Sequence, residues 1–298
     1  MANLKEVRKR INSIRSTQQI TNAMKMVAAS KLRRTQHAIT ALKPYSQKQD
    51  EILNNVLLSL SSNDNEAENK TINNTFAQER EVKNALIIVV ASNKGLCGPF
   101  NSNTIKMATD YLLEKQNSDY NTFVLPVGRK VKEFFAKTDY KLYDRGFELA
   151  DNPSYDSIKE FADLLLNDYK DEKIDKIEII YNEFINASSQ KITLEQFLPI
   201  TNITADADFN SNIDYIFQPD KDEIISELVP NTLRIKFYKY MLNSITSEHG
   251  ARMTAMSQAT ENASGLIKEL QLSYNKARQA AITNEIIEIV SGAEALKQ

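Results

Sequence analysis

The chain has 298 residues, of which 42% are hydrophobic and 26% are charged, with seven glycines, seven prolines and one cysteine. This composition is typical of a globular protein with long helices, and the formal net charge of -2 argues against binding that depends on overall charge. A single cysteine excludes an internal disulfide and a zinc-binding cysteine cluster, and it fits a reducing compartment. No run of about 18 apolar residues occurs, so we expect no membrane-spanning helix. The start of the sequence lacks the apolar core of a secretory signal, so we expect no secretory leader.

Residues 1–60 are predicted to form one long helix. Three runs keep coiled-coil spacing, the second of them in a shifted phase: Leu4, Val7, Ile11 and Ile14; Ile20, Met24 and Val27; Leu32, Thr35, Ile39 and Leu42. Pro44 lacks a backbone N–H, so we expect a kink or bend there.

The beginning of this helix is strongly basic. Within residues 1–34 a single acid, Glu6, accompanies nine bases: Lys5, Arg8, Lys9, Arg10, Arg15, Lys25, Lys31, Arg33 and Arg34. A solvated helix face usually mixes both signs, so this excess favours an acidic partner. Nucleic acid is the alternative partner, although no aromatic residue interrupts these bases for stacking.

The polar residues 61–75 predict a flexible loop, which we extend to residue 79. The period then changes, and apolar or alternating runs predict four strands: Asn84–Ala91, Asn121–Val127, Ile174–Asn182 and, as an edge strand, Lys191–Phe197. Between them we expect three helices: one around Asn103–Gln116, one over Arg129–Ala136, and one capped at Asp151–Pro153 that runs to about Tyr169. This alternation indicates an α/β domain over residues 80–200, with a small parallel or mixed sheet covered on its faces.

An acidic connector is predicted over residues 201–230, with Pro219–Asp220 resembling the start of the last helical region. Residues 231–298 then form a second long helix, about 90 Å long over Leu233–Leu296. Its apolar or small residues again keep coiled-coil spacing: Met256, Ala259, Ala263, Leu266 and Leu270; then Ile282, Ile286, Ile289, Ala293 and Leu296.

The two terminal helices favour an intramolecular antiparallel coiled coil over two separate helices in an ordinary bundle. The expected fold class is therefore α/β: a long antiparallel coiled coil plus a small Rossmann-like α/β domain. The second helix extends beyond the first along the coiled coil, so we expect a change from paired coil to single protruding helix between Tyr274 and Ile289.

The best candidate for a chemical site is the turn Gly95–Pro99 after the first strand, because phosphate often binds where a glycine turn joins a strand to a helix. The turn lacks a third glycine at dinucleotide spacing and a P-loop lysine, and Pro99 removes an amide that an anion would need. A tight structural turn is therefore the favoured interpretation. Cys97 has no nearby histidine, since His37 and His249 both lie in the long helices. We predict no catalytic, cofactor or metal site.

Two terminal regions nevertheless resemble the gamma-subunit family of rotary, F-type ATP synthases. The resemblance is carried by TQQITNAMKMVAASKLRR (Thr17–Arg34), SEHGARMTAM (Ser247–Met256) and LIKELQLSYNKARQAAITNEIIEIVSGAEAL (Leu266–Leu296). The turn Gly95–Asn101 is similar to the glycine-cysteine-glycine turn of this family, but it departs at Pro99 and Phe100. The regulatory cysteine pair of chloroplast members is not expected here, because the chain has one cysteine.

The resemblance implies a non-catalytic rotor subunit of the central stalk, without a cofactor of its own. Such a subunit couples proton flow through the membrane c-ring to sequential changes of three catalytic beta subunits, and it regulates ATPase activity and proton flow. The implied partners are the alpha and beta subunits, the epsilon subunit and the c-ring, with no nucleic acid. The implied location is peripheral, on the cytoplasmic side of a bacterial inner membrane.

The resemblance also implies seven partner-contact residues: Met24, Lys25, Arg34, Arg252, Arg278, Gln279 and Thr283. Among them Arg252 is favoured on physical grounds, because a guanidinium can bind a carboxylate through two parallel hydrogen bonds. Two other classes remain open at this point. A coiled-coil scaffold would bind partners without rotating, and an α/β enzyme with helical arms would need an active site within residues 80–200.

Overall fold

The computed structural model describes residues 2–61, 76, 80–116, 119–143, 154–200 and 221–295. Its elements are α1 (Ala2–Ser61), β1 (Asn84–Val90), α2 (Phe100–Lys115), β2 (Asn121–Val127), α3 (Arg129–Phe135), α4 (Tyr155–Lys170), β3 (Lys176–Asn186), β4 (Ser189–Leu198) and α5 (Lys221–Ala295). The chain divides into two compact units, Met1–Ser30 with Arg252–Gln298, and Lys31–Ala251. The predicted loop at 61–79 and the connector up to residue 220 fall almost wholly outside the described residues.

All four predicted strands are present, and three helix starts differ from prediction. Helix α2 begins three residues early at Phe100, with Pro99 in the preceding position. Helix α4 is capped by Ser154 rather than by Asp151–Pro153, because the Ser154 hydroxyl accepts a hydrogen bond from the Ser157 amide. Helix α5 begins at Lys221, directly after Pro219–Asp220 but before the predicted bound at residue 231, because the helix continues through Pro230.

The larger unit is built on a mixed four-stranded sheet in the order β2-β1-β3-β4. Strand β1 pairs in parallel with both β2 and β3, and β4 pairs antiparallel to β3 at the edge, as predicted. Side chains of β1 alternate between the two faces of the sheet, and both sets are fully buried. Leu86 and Ile88 face a core with α4 and α5, whereas Ile87 and Val89 face a core with α2 and α3.

Helix α5 supplies much of the first core. Its residues Leu233, Phe237 and Met241 are buried at helical spacing beside strand residues, and Leu53 from the second half of α1 joins the same cluster. Full burial of one such side chain contributes about 1.5–3 kcal/mol, so this apolar row is enough to hold the helix on the sheet.

In the smaller unit, α1 and α5 meet along a seam whose phase never shifts. Inward positions of α1 follow 3-4 spacing without interruption, and they include polar residues: Leu4, Val7, Ile11, Ile14, Gln18, Thr21, Lys25 and Ala28. The expected shifted run was wrong, because Ile20 and Val27 are each 59% exposed. The polar side chains of Gln18 and Thr21 hold positions that an apolar pattern cannot reveal.

The α5 side of the seam requires a similar correction. Leu266, predicted to face inward, is 48% exposed, and its neighbour Ile267 is 9% exposed. With Ile267 in the seam, the inward positions run at 4-3 spacing through Leu270, Tyr274, Ala277 and Ala281. The seam therefore does not drift over this stretch, and the helices keep the heptad register of a coiled coil.

Candidate partner-binding surfaces

The far end of α5 is exposed and rich in aliphatic residues. Every described side chain over residues 282–293 is exposed, including five large aliphatic ones: Ile282, Ile286, Ile287, Ile289 and Val290. Their exposed fractions range from 48% for Ile282 to 71% for Ile289. Clustered aliphatic exposure of this kind is unusual on a monomer surface and marks a site of interaction.

The cause of this exposure is the unequal length of the two helices. The hydroxyl oxygens of Thr21 and Thr260 lie 2.9 Å apart, which sets the register of the antiparallel pair. In that register Leu4 lies level with Ala277 and Ala2 with Gln279, so no described residue of α1 lies beside Ile282. The change to a single helix thus falls between Tyr274 and Ile289, as predicted. We call residues 282–293 the α5 tip.

The basic stretch of α1 also presents most of its charge to solvent. Seven of its nine bases are exposed, and Lys25 and Lys31 are half-buried. Lys25 occupies an inward heptad position, where its methylene stem can line the seam while its ammonium group reaches water. This surface is suited to carboxylate-rich partners.

The seven residues implied as partner contacts differ in accessibility. Arg34, Arg278, Gln279 and Thr283 are exposed, Met24 and Lys25 are half-buried, and Arg252 is 9% exposed. Gln279 and Thr283 share one face of α5, where the Thr283 hydroxyl donates to the Gln279 carbonyl at 2.9 Å. The structure does not test these partner contacts, which stay predictions.

The Gly95–Pro99 turn is closed by contacts with its own chain. Cys97 is 1% exposed, and its sulfur accepts a hydrogen bond from Asn101 Nδ2 at 3.2 Å. Asn101 Oδ1 in turn accepts from the Ser92 amide at 3.1 Å. Two residues adopt left-handed backbone angles here, Leu96 at φ 64° and Gly98 at φ 60°. These contacts support the interpretation as a structural turn.

The neighbouring strand end is filled in the same way. Gly128 has φ 104°, and a Cβ there would lie 2.1 Å from the Ala91 carbonyl oxygen, so only glycine fits. The first amides of α3 already have acceptors: Arg129 N donates to Asn93 Oδ1 at 3.0 Å and Lys130 N donates to the Ser92 carbonyl at 3.2 Å. The chain's own oxygens therefore occupy the position that a phosphate would take at this edge.

Ionisable groups in the larger unit have perturbed pKa values with structural causes. Burial, reinforced by Glu195, raises the pKa of the Tyr181 and Tyr240 phenols above their ordinary value. Burial also raises the pKa of Asp50, an effect that the charges of Lys239 and Lys236 oppose. Tyr240 and its polar neighbours were missed by sequence reasoning, since their bonding partners are distant in the chain. The only signal available in the sequence is the 3-4-3 spacing of Tyr240, Asn243, Ser247 and Gly250.

In residues 2–61, 76, 80–116, 119–143, 154–200 and 221–295, no group of three or more His, Cys, Asp or Glu side chains could hold a metal ion. None of the helices in this part of the chain is long and apolar enough to cross a membrane.

A family model described as ATP synthase matches residues 3–296. The ATP synthase gamma chain of Christiangramia forsetii is 48% identical over 296 residues, covering 99% of each chain. The gamma chain of Amoebophilus asiaticus is 45% identical over 299 residues, covering 100% of both, and that of Geobacter metallireducens is 41% identical over 298 residues with the same coverage.

Solved structures share the fold. A chain of the Euglena gracilis mitochondrial ATP synthase, from a structure of its F1 and c-ring parts, superposes with a TM-score of 0.60 at 19% identity, covering 99% of this chain and 95% of that one. A chain from the central stalk and c-ring of the Tetrahymena thermophila enzyme gives 0.59 at 23% identity, covering 80% and 99%.

Proposed function

This chain belongs to the ATP synthase gamma-chain family, and we propose that it is the central-stalk rotor of an F-type ATP synthase. It couples proton flow through a membrane c-ring to sequential conformational change of three catalytic beta subunits, and it thereby regulates ATPase activity and proton flow. The α5 tip is the observation that carries this proposal, because it leaves an apolar helix end outside the chain's own cores.

The asymmetry of the helices explains how such a rod could work. A ligand that binds every conformation equally shifts none of them, so a shaft must present different surfaces to otherwise equivalent sites. Helix α1 is basic near its start, whereas the α5 tip has no base and is rich in exposed aliphatic residues. Placed among three catalytic sites, these unlike faces stabilise a different state at each one, and rotation exchanges the states in turn.

The composition of the tip also suits rotation. Apolar contact is non-directional, so it resists turning less than a set of directional hydrogen bonds would. The proposed polar contacts are exposed on the same helix, Arg278 and Gln279 just before the tip and Thr283 within it. We propose that these three, together with Arg34, meet the beta subunits. Met24, Lys25 and Arg252 remain in the proposal with less accessible side chains.

The chain itself is proposed to be non-catalytic, with ATP made or hydrolysed by its partners. The filled strand edge at Ser92 and Gly128 supports this view, since the chain's own oxygens take up the amides there. The proposed partners are the alpha and beta subunits, the epsilon subunit and the c-ring. Its proposed location is peripheral, on the cytoplasmic side of a bacterial inner membrane.

Co-purification tests the proposal. A tagged chain expressed with its candidate partners is expected to bring down alpha, beta, epsilon and c subunits in one complex. The variant Ile286→Asp/Ile289→Asp should lose the alpha and beta subunits, because it places charge on side chains that are 56% and 71% exposed in the chain alone. Leu113→Asp is the matched control, since Leu113 is 52% exposed on α2 and far from the tip in sequence. Equal recovery with both variants would contradict the role of the tip.

A further inference from the structure

Four residues of α5 form a row that faces the β3–β4 hairpin. Tyr240, Asn243, Ser247 and Gly250 are spaced by three, four and three residues, which places them on one face of a helix. All four belong to the larger unit and are buried. We call this set the α5 polar row, and each of its members meets the hairpin differently.

At one end of the row, a carboxylate on β4 joins α5 to β3. The Tyr240 hydroxyl donates to Glu195 Oε2 at 2.6 Å, and the Tyr181 hydroxyl donates to Glu195 Oε1 at 2.7 Å. The two tyrosine rings also pack against each other, with centroids 4.7 Å apart. Hydrogen bonds to an ionised carboxylate are short and about twice as strong as neutral ones. Both oxygens of Glu195 thus hold two elements in one geometry.

Two turns further along, a second connection reaches through the sheet. The Ser247 hydroxyl donates to the Asn182 carbonyl at 3.1 Å, and Asn182 Nδ2 donates to the Thr104 hydroxyl on α2 at 2.8 Å. Ser247, Asn182 and Thr104 are at most 2% exposed. Between the two connections, Asn243 Oδ1 accepts a longer contact from the Phe184 amide at 3.5 Å. A buried polar network specifies one register, because any slip leaves its groups unsatisfied.

The row ends at a close approach of two backbones. A Cβ added to Gly250 would lie 3.2 Å from the Ala187 carbonyl oxygen and 3.3 Å from its Cα. The absence of a side chain therefore lets the turn between β3 and β4 press directly on α5. This contact blocks sliding of the helix along the hairpin.

The polar row adds something that the apolar core of α5 cannot provide. Phe237, Met241 and Ile245 hold the helix on the sheet, but apolar contact has no preferred direction and permits small rotations. The bonds of Tyr240 and Ser247 depend on angle, so they fix the helix about its own axis. Such fixing matters only if the sheet and the helix are twisted against each other.

We propose that the α5 polar row is a torque lock, which transmits twist between the sheet of this chain and its shaft helix, with Glu195 as the positioning residue. The inference rests on the proposed rotor function, with the added premise that the sheet-bearing unit takes up load from the c-ring and passes it to α5. In the absence of the lock, twist would be lost as local slip at the hairpin before it reached the catalytic sites.

The test uses the complete complex in vesicles. The variant Tyr181→Phe/Tyr240→Phe/Ser247→Ala removes the two α5 hydroxyls that bond the hairpin and the Tyr181 hydroxyl that shares Glu195, and it keeps both rings. We expect ATP hydrolysis to be retained, with a severalfold loss of protons pumped per ATP and of gradient-driven ATP synthesis. Tyr111→Phe is the matched control, because the Tyr111 hydroxyl on α2 donates to Glu178 on β3 at 2.8 Å, a bond in the same unit that is not part of the α5 polar row. The control should pump as the unmodified complex does.

The single variant Tyr240→Phe carries the test if the triple variant assembles poorly, and it should show a smaller loss of the same kind. Normal pumping per ATP in assembled variant complexes would overturn the lock and leave a purely structural role. Equal loss in the Tyr111→Phe control would overturn it as well. Failure of the unmodified chain to join alpha, beta and c subunits would instead refute the proposed function, so the two failures can be told apart.

Discussion

Truncation of Ile267 to alanine should loosen the coiled coil far more than the same change at Leu266. Ile267 is 9% exposed and Leu266 is 48% exposed, although the two residues are adjacent and similar in size. Each change removes three carbon groups, worth about 0.8 kcal/mol apiece when buried, which gives roughly 2 kcal/mol at Ile267 and about half of that at most at Leu266. A residual cavity adds to the first value, whereas solvent fills the second site.

Hydrogen exchange is the suitable assay, because it reports local opening of the coil separately from unfolding of the sheet. Amides of α1 within residues 5–28 should exchange about 30-fold faster in Ile267→Ala, since each 1.4 kcal/mol corresponds to a factor of ten. The Leu266→Ala variant should exchange only a few-fold faster. Equal acceleration in the two variants, or a larger effect at Leu266, would refute the seam as the structure has it.

Further outcomes follow from charge and burial. Burial raises the pKa of Asp50, so the folded chain holds this proton more tightly than the unfolded chain does. The free energy of unfolding should therefore fall as pH rises from the usual value near 3.8 through the folded pKa. Asp50→Asn should raise the melting temperature at pH 7 and leave it unchanged at a pH below 3.8. The raised pKa values of Tyr181 and Tyr240 likewise predict stability that is complete below about pH 10 and lost above it, and Tyr181→Phe/Tyr240→Phe should flatten that alkaline loss in urea unfolding. The purified chain alone should hydrolyse no ATP, and turnover that persists through purification would contradict its non-catalytic role. Reversal of Arg8, Lys9, Arg33 and Arg34 to glutamate should lower proton-coupled ATP synthesis, because it removes the exposed positive charge of α1. Unchanged coupling would contradict this prediction.

Local pattern was sufficient to predict most of the sheet. Strand β2 matches its predicted bounds, and β1 differs by one residue. Short β-branched runs flanked by polar turns are typical of buried strands, so their bounds can be predicted from sequence. The start of α4 was less predictable, since Asp151 and Ser154 are both good capping residues in sequence. Only the hydrogen bond from the Ser157 amide distinguishes them.

The seams show where an apolar pattern fails. A search for apolar residues chose Ile20 and Val27, yet Thr21 faces inward because its hydroxyl lies 2.9 Å from that of Thr260. A polar residue in a heptad position becomes recognisable only when its partner helix is aligned with it. The same reasoning applies at Leu266, where two adjacent aliphatic residues compete for one inward position.

The α5 tip and the α5 polar row also differ in how far the sequence could predict them. The α5 tip could be expected from sequence, because the predicted C-terminal helix extends beyond the N-terminal helix that pairs with it. The α5 polar row could not, since Glu195 and Asn182 reach Tyr240 and Ser247 only after the sheet has formed. The 3-4-3 spacing of the row marks one face of a helix but does not identify the residues that bind to it.

Rotation of the chain inside its partner ring is the central claim, and a bead attached to it observes that motion directly. Lys106→Cys provides an exposed attachment point on α2, and Cys97 would not compete for the label because it is 1% exposed. With the alpha and beta ring fixed to a surface, added ATP should drive the bead in one direction, with one step for each catalytic site. A bead that stays still or only jitters while the same complexes hydrolyse ATP would contradict the account.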